Sequence, residues 1–339
     1  MQAFHLSHSR GVSDALRAAG RARSAGQSHA FRFLAGGTTL LDLMKLEVET
    51  PLEVLDISRL PLTDITERPD GGLDIGAMVR NADLAHHPAI LAAYPVLSQA
   101  LLAGASPQLR NMATTGGNLM QRTRCVYFRD TATACNKREP GSGCSAIEGY
   151  HRNMAVLGTS EHCVAAHPSD MAVALVALDA TVVLESERGA RRLPASDFFL
   201  LPGSTPQHEH ALAQDELITG IRLPPPVLQG RSVYLKLRDR ASYEFALASA
   251  GVVLAQRAGV LKHVRIALGG VGAKPWRSPE AEAVLLDRAP TESLIRTAAE
   301  AALRDARPLP ENAFKVELAK RCLMHALSRA VAEGRGVRP

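Results

Sequence analysis

Blocks of apolar and polar positions alternate near the start of the chain, and they predict strands and helices in turn. Residues 31–35 form a short apolar run typical of a buried strand, and residues 40–45 carry apolar side chains at helical spacing. Pro51 ends that helix, because proline cannot continue one, and residues 52–57 have the pattern of a second strand. This order predicts an α/β unit in residues 1–59.

The pattern changes after residue 60. Residues 73–77 resemble a strand, and residues 81–103 predict helices that break at Pro88 and Pro95. Regular structure is expected to resume at two apolar runs, residues 172–178 and 180–185. Between these parts, residues 108–152 are rich in Gly, Thr, Asn and Arg and have little amphipathic period. A loop this long inside a compact domain is usually functional.

Three consecutive prolines at positions 224–226 are the best candidate for a linker. Beyond them the pattern predicts strands and then helices, which is typical of an α+β domain. The expected strands are residues 232–237, 251–256 and 261–268, and the expected helices are residues 278–286, 292–304 and 312–333. The sequence therefore predicts three units, at residues 1–59, 60–224 and 225–339.

Composition narrows the functional classes. A chain of 339 residues is too long for one compact core of ordinary size, so more than one domain is expected. The content of 46% hydrophobic and 22% charged residues is normal for a globular protein. The net charge of +5 is spread along the chain and aromatic residues make up only 4%, so we expect no nucleic-acid partner. No apolar run is long enough to predict a membrane span.

The N-terminal residues have polar and charged side chains where a signal peptide needs an apolar core. We therefore expect no export signal in this chain. Two locations stay open, the cytoplasm, or the periplasm through export together with a partner that carries a signal.

Two glycine turns are candidates for binding a phosphate-containing ligand. The first, at residues 35–39, reads AGGTT between a predicted strand and a predicted helix, where free N–H groups can bind an anion. The second, at residues 113–118, reads ATTGGN. Alone, the first also fits a tight turn with a threonine cap, and the second a hairpin turn. Together they indicate one extended ligand held by two subdomains.

Four of the five cysteines fall in one segment. They are Cys125, Cys135, Cys144 and Cys163. Four thiolates can hold a [4Fe-4S] cluster or a tetrahedral zinc, and the spacing alone does not separate these from unligated buried thiols. Residues 136–143 are polar and glycine-rich, and nearby cations would offset thiolate charge; these cations are Arg122, Arg124, Lys137 and Arg138. Cys322 is expected to be a buried core thiol.

No acid–base or nucleophile constellation is evident in the sequence. The histidine pairs at positions 86–87 and 208 with 210 occur in loop-like segments, where histidines are usually solvated. This fits a subunit whose chemistry belongs to a cofactor.

Five segments resemble the FAD subunits and domains of the xanthine dehydrogenase family: residues 33–40, 110–118, 168–170, 236–246 and 269–277. The segment from Cys135 to Cys144, with residues 156–160 and Cys163, resembles the flavin subunit of bacterial periplasmic-type aldehyde oxidoreductases, which also carries a [4Fe-4S] cluster. The 4-hydroxybenzoyl-CoA reductase branch is the second alternative, and a xanthine dehydrogenase-like flavin subunit is another. A stand-alone flavoprotein with a structural zinc is also kept open.

The resemblance implies an α+β fold, with a vanillyl-alcohol-oxidase-type (PCMH-like) FAD-binding domain in two subdomains. A small C-terminal α+β domain of the CO dehydrogenase flavoprotein type would follow. It further implies a heterotrimer with a large molybdenum-cofactor subunit and a small subunit with two [2Fe-2S] clusters. The substrate would be oxidised at molybdenum, and FAD here would pass electrons to an external acceptor. No segment of the sequence resembles a Rossmann NAD site, so a quinone, a dye, ferredoxin or oxygen is expected as the acceptor in preference to NAD.

The resemblance also implies roles for particular residues. The FAD-binding residues would be Phe33, Leu34, Ala35, Gly36, Gly37, Thr38, Thr39, Leu40, Gly104, Thr114, Gly117, Asn118, Asp170, Ile218 and Lys236. The first turn would cradle the pyrophosphate, Asp170 would bind the FAD chain, Ile218 would back the cofactor, and Lys236 would lie near the flavin ring. Cys125, Cys135, Cys144 and Cys163, in a loop at about residues 122–165, would bind the [4Fe-4S] cluster.

Overall fold

The computed structural model describes residues 1–332, apart from the side chain of Ser28. The last residue of the predicted helix 312–333 and the end of the predicted unit 225–339 lie outside the described residues. None of the described helices is both long and apolar enough to cross a bilayer.

The first part of the chain is a small parallel sheet with one helix packed on it. Its elements are β1 (His5–His8), α1 (Val12–Ser24), β2 (Phe31–Leu34), α2 (Leu40–Lys45) and β3 (Glu53–Asp56). The strand order is β1-β3-β2, and both pairs are parallel. Helix α1 buries its alanine-rich face, including Ala15 and Ala19, against this sheet and its surroundings.

The second part is a five-stranded antiparallel sheet with helices inserted between its strands. Its strands are β4 (Ile65–Glu67), β5 (Leu73–Gly76), β6 (Thr181–Ser186), β7 (Gly189–Pro194) and β8 (Leu217–Leu223), in the order β4-β5-β8-β6-β7. Its helices are α3 (Asn81–His86), α4 (Pro88–Ala93), α5 (Pro95–Ala103), α6 (Pro107–Met112), α7 (Thr115–Leu119), α8 (Val126–Arg129), α9 (Ser145–Glu148), α10 (Asp170–Ala177) and α11 (Ala195–Phe198). The helix breaks predicted at Pro88 and Pro95 are confirmed, because each proline is the first residue of a new helix.

The third part is a four-stranded antiparallel sheet covered by three helices. Its elements are β9 (Arg231–Leu237), β10 (Ala248–Arg257), β11 (Val260–Gly269), β12 (Trp276–Arg277), α12 (Pro279–Leu285), α13 (Glu292–Ala302) and α14 (Phe314–Ala332). The strand order is β12-β11-β10-β9. Cys322 on α14 is 1% exposed within the apolar core between this sheet and its helices, which confirms the expected core thiol.

Helix α10 joins the second and third parts. All eight of its residues are buried, because it packs against α5 on one side and against β10 and β11 on the other. Gly269 permits this close packing, since a Cβ there would lie 2.5 Å from a methyl group of Val173. The helix therefore places Asp170, its first residue, at the seam between the two parts.

Candidate functional site

The first glycine turn presents an open row of backbone donors. It connects the end of β2 at Leu34 to the start of α2 at Leu40, and Gly37 has a φ of 72°. Among residues 1–332, no hydrogen-bond acceptor lies opposite the N–H groups of residues 36–40. Thr39, the residue before α2, makes no side-chain cap. Consecutive unpaired N–H groups form a concave anion site.

The structure brings the two glycine turns into contact. A Cβ on Gly36 would lie 2.1 Å from the Met112 carbonyl oxygen and 3.1 Å from Ala113 Cα. Only a glycine permits this approach of two backbones. The two turns, about 80 positions apart in sequence, therefore lie side by side, as the two walls of a ligand-binding cleft would.

The second turn begins a helix and is not a hairpin. Thr114 is 1% exposed, and its hydroxyl oxygen accepts a hydrogen bond from the Gly117 N–H at 3.1 Å. The N–H groups of Thr115 and Gly116 donate to the Val79 and Ala77 carbonyls. Because these donors are engaged, the groups that this wall can still offer a ligand are side-chain donors such as the Thr114 hydroxyl.

Asn118 ties the second turn to the start of α10. Its side-chain oxygen accepts hydrogen bonds from Ser169 Oγ at 2.6 Å and from Gln121 Nε2 at 2.7 Å. Ser169 also caps α10 by accepting from the Ala172 N–H at 3.0 Å. These hydrogen bonds fix the position of the second glycine turn relative to the start of α10, the helix that carries Asp170.

Gly104, Asp170 and Lys236 converge at the seam between the second and third parts. Lys236 Nζ donates to Asp170 Oδ2 at 2.8 Å and to the Ala103 carbonyl at 3.1 Å. A Cβ on Gly104 would lie 3.2 Å from the same carboxylate oxygen. The Lys236 side chain is only 4% exposed, so this lysine belongs to an internal ion pair and not to the solvated surface.

Tyr234 completes this polar group, and sequence reasoning missed it. Its hydroxyl donates to Asp170 Oδ1 at 2.5 Å. Burial and the Asp170 carboxylate raise the pKa of Tyr234 well above its usual value, so the phenol stays protonated and keeps donating. Its position on β9, two residues before Lys236, was the available signal, because alternate strand residues face the same side.

Ile218 lies apart from these polar groups. It is 6% exposed on β8 and packs in the apolar core of the second part, with Val182 and Leu184. Its backbone neighbour Thr219 accepts from the Ala77 N–H, beside the second turn. Its predicted role in backing the cofactor stays a prediction.

All four clustered cysteines border one cavity. Cys125, Cys135, Cys144 and Cys163 line it together with Thr123, Phe128, Asn136, Lys137 and Ala165. All four are free thiols, and the first, second and fourth are 5–7% exposed. Burial, together with the neighbouring Cys135 and Cys163, raises the pKa of Cys125 to about 11. Buried thiols packed against one another need a cationic ligand to become thiolates.

Hydrogen bonds fold the polar segment between Cys135 and Cys144 into a tight turn. These two cysteines face each other across an antiparallel bridge. The Asn136 side-chain oxygen accepts from the Gly141 N–H at 3.1 Å and from the Gly143 N–H at 2.8 Å. Asn136 thus closes this turn and engages two of its N–H groups.

The arrangement does not match a site for one metal ion. Within residues 1–332, no group of three or more His, Cys, Asp or Glu side chains is placed to hold a single ion. A tetrahedral zinc with Zn–S bonds of roughly 2.3 Å needs sulfurs roughly 4 Å apart. A polynuclear cluster separates its cysteine ligands further. The four cysteines around the cavity match a [4Fe-4S] cluster in the number and type of ligands.

Lys137, which lines this cavity, belongs to a network of partly buried charges, and two members of that network were missed. Arg122 and Lys137, both expected from sequence, pair with Glu209, and Arg122 also pairs with Glu49. Both acids lie far from the cysteines in sequence, so no local pattern could have indicated them.

The expectation that His210 is solvated was wrong. Its ring packs against Phe198 and Phe199, and its Nε2 atom is buried without a partner among the described residues. His167 packs on Phe199 in the same way, and its Nε2 is likewise unpaired in this part of the chain. Burial lowers the pKa of His167 to about 3 and that of His210 to about 4.

Family comparisons agree with this geometry. Residues 3–226 match the model of the FAD binding domain in molybdopterin dehydrogenase, and residues 233–330 match that of the CO dehydrogenase flavoprotein C-terminal domain. The chain is 52% identical over 304 residues to the aldehyde oxidoreductase FAD-binding subunit PaoB of Escherichia coli, which covers 89% of this chain and 92% of that protein. It is 28% identical to the carbon monoxide dehydrogenase medium chain of Hydrogenophaga pseudoflava, with 89% of each chain covered.

Solved structures show the same architecture. Carbon monoxide dehydrogenase from Hydrogenophaga pseudoflava, lacking the Mo-pyranopterin moiety of the molybdenum cofactor, superposes with a TM-score of 0.76 at 28% identity over 97% of each chain. Reconstituted CO dehydrogenase from Oligotropha carboxidovorans gives 0.75 at 25% identity over 98% of each. The expected fold class is confirmed, and the match to an FAD-binding domain supports the expected FAD. The chain belongs to the FAD-binding subunits of the molybdenum hydroxylase family, which are subunits of oxidoreductase complexes.

Proposed function

We propose that this chain is the FAD- and [4Fe-4S]-carrying electron-transfer subunit of a molybdenum-dependent aldehyde oxidoreductase. It would receive electrons from a [2Fe-2S] subunit and pass them to an external acceptor. The observation that carries the aldehyde assignment is the 52% identity to an aldehyde oxidoreductase FAD-binding subunit along nearly all of both chains. The CO dehydrogenase, nicotinate and xanthine relatives are all below 30% identical.

The cleft between the two glycine turns would hold the FAD diphosphate. The open N–H groups of residues 36–40 are the donors that a diphosphate requires, and the Thr114 hydroxyl and the Asn118 amide group would face it from the second turn. Residues 33–35 and Gly117 would complete the walls. FAD, when bound, supplies the one- and two-electron chemistry that no side chain here provides.

The Lys236–Asp170 pair would lie under the flavin end of the cofactor. The pair is buried and is already oriented by Tyr234 and by the Ala103 carbonyl, so it is rigid before any ligand arrives. A fixed ammonium group there would favour negative charge on the reduced flavin. The carboxylate would hold the lysine charged and in place, and Gly104 would leave room beside it.

The cavity formed by Cys125, Cys135, Cys144 and Cys163 would hold the [4Fe-4S] cluster. Four unbridged thiols line it together, and three of them are buried. The charges of Arg122 and Lys137 would offset the negative charge of a thiolate cluster. Zinc in a stand-alone flavoprotein is the alternative that metal analysis separates.

Other features of the proposal concern the whole assembly. The partners would be a large molybdenum-cofactor subunit and a small [2Fe-2S] subunit in a heterotrimer, located in the periplasm by co-export or in the cytoplasm. The proposed units 1–59, 60–224 and 225–339 are supported by the three sheets, which span residues 5–56, 65–223 and 231–277.

Rapid mixing of the purified complex with an aromatic or aliphatic aldehyde tests the electron-transfer role. Anaerobic addition of aldehyde should bleach the flavin absorbance when the partner subunits are present, and should leave it unchanged when this chain is mixed alone. Bleaching of the isolated chain would instead identify a stand-alone flavoprotein, and no bleaching in the complex would refute the proposed electron path.

A further inference from the structure

Glu209 lies between two cations that flank the cysteine segment. Arg122 Nε donates to its Oε2 atom at 2.5 Å, and Lys137 Nζ lies 3.0 Å from its Oε1 atom. Arg122 precedes Cys125 by three positions, and Lys137 follows Cys135 by two. The side chains of Glu209, Arg122 and Lys137 are 16%, 21% and 10% exposed. Solvent and salt therefore screen these charges only weakly.

Arg122 is held from its other sides as well. One of its terminal nitrogens donates to Glu49 Oε1 at 2.5 Å, and its guanidinium lies 4.5 Å above the ring of Phe128. Phe128 is fully buried and follows Cys125 on α8. The position of Arg122 is thus linked to the backbone that carries the first cysteine.

Lys137 links Glu209 to the last cysteine. Lys137 and Cys163 line both the cysteine cavity and an adjoining cavity that Glu209 also lines. A second hydrogen bond, from Lys137 Nζ to the Pro206 carbonyl at 3.0 Å, fixes the ammonium group.

Glu209 carries its charge at neutral pH. Burial alone would raise its pKa, but Arg122 and Lys137 outweigh burial and hold the pKa at about 2. With Glu49 on the other side of Arg122, these residues form a network of two acids and two cations beside the cysteine segment.

We infer that Glu209 is a positioning residue of the iron–sulfur site, which holds Lys137 and Arg122 beside the cysteines and tunes the reduction potential of the cluster. The inference rests on the proposed [4Fe-4S] site. A reduced cluster is one unit more negative than an oxidised one. A nearby anion therefore lowers the potential, and a nearby cation raises it.

Two substitutions of opposite sign test this. Glu209→Gln removes the negative charge, keeps the shape and retains a side-chain oxygen for Lys137, so the midpoint potential of the cluster should shift to a more positive value. Lys137→Gln removes the positive charge and should shift it to a more negative value. The potentials are measured by EPR-monitored redox titration of the full-length chain in its complex. Glu161→Gln is the matched control, because Glu161 is exposed although it lies two positions before Cys163, and no shift is expected.

Potential shifts of opposite sign in the two variants distinguish an electrostatic effect on the cluster from a loss of structural support. Shifts of the same sign, or none in either variant, would overturn the inference while leaving a wild-type cluster and the proposed function intact. If Glu209→Gln loses its iron, the negative shift expected in Lys137→Gln decides alone. A wild-type chain without iron and sulfide would instead overturn the proposed cluster, and this inference with it.

Discussion

Replacing Gly36 with alanine should weaken FAD binding, because the added Cβ would force the two glycine turns apart. The added Cβ would lie 2.1 Å from the Met112 carbonyl oxygen and 2.9 Å from the Met112 carbonyl carbon. Both atoms belong to the backbone, so no side chain can rotate away. Ordinary carbon contacts need about 3.5 Å, so the two turns must move apart by roughly 1 Å.

Overpacking of this kind typically costs about 1–3 kcal/mol, which corresponds to roughly five- to 150-fold weaker binding if the strain falls on the cleft. We expect the dissociation constant of FAD from the deflavinated full-length chain to rise by that factor in Gly36→Ala. Fluorescence titration with FAD measures it. Gly11→Ala is the matched control, because its Cβ would meet nothing within 4 Å and its φ of 176° is ordinary extended backbone.

FAD affinity in Gly36→Ala equal to that of the wild type would refute the two-walled cleft. Equal losses in both glycine variants would show a general loss of stability instead. The urea midpoint of the FAD-free chains distinguishes these cases, since the control should unfold at the wild-type concentration.

Three further predictions follow from the contacts at the two sites. Cys163→Ser should lose iron but keep its FAD, because the residues that line the cysteine cavity are distinct from those of the glycine turns. Full iron content of this variant on metal analysis would contradict the proposed set of cysteine ligands. Tyr234→Phe removes a hydrogen bond to the Asp170 carboxylate and should lower the free energy of unfolding by about 1.5–3 kcal/mol in urea denaturation. The free energy of unfolding of the wild-type chain should fall by roughly 2 kcal/mol per buried histidine between pH 6.5 and 5. The histidines of the unfolded state take up protons in this range, whereas buried His167 and His210 stay neutral. The variant with glutamine at both positions should show a smaller fall.

Sequence patterns predicted the strands and helices that bury either one face or their whole surface. The apolar runs of β2, β3, β10 and β11 and the proline breaks of α3 to α5 all lie where the pattern indicated them. Strand β7 was not predicted, because five of its six residues are exposed and its arginines show no alternation. Its place depends on pairing with β6, which is a tertiary contact.

The candidate site likewise combines parts that local sequence patterns predict with parts that depend on tertiary contacts. Glycine turns and clustered cysteines are local patterns, and the sequence indicated that each has a ligand. The partners that fix them come from elsewhere in the chain: Met112 stands against Gly36, Tyr234 against Asp170, and Glu209 between Arg122 and Lys137. Only folding brings these pairs together, and among the three partners only Tyr234 had a local signal, its position two residues before Lys236 on one strand.

Flavin, iron, sulfide and zinc analysis of the anaerobically purified full-length chain tests the central claim most directly. The proposed function predicts one FAD with about four iron atoms and four inorganic sulfides per chain, and no zinc. One FAD with a single zinc, or with no metal, would contradict the cluster while leaving the family membership intact.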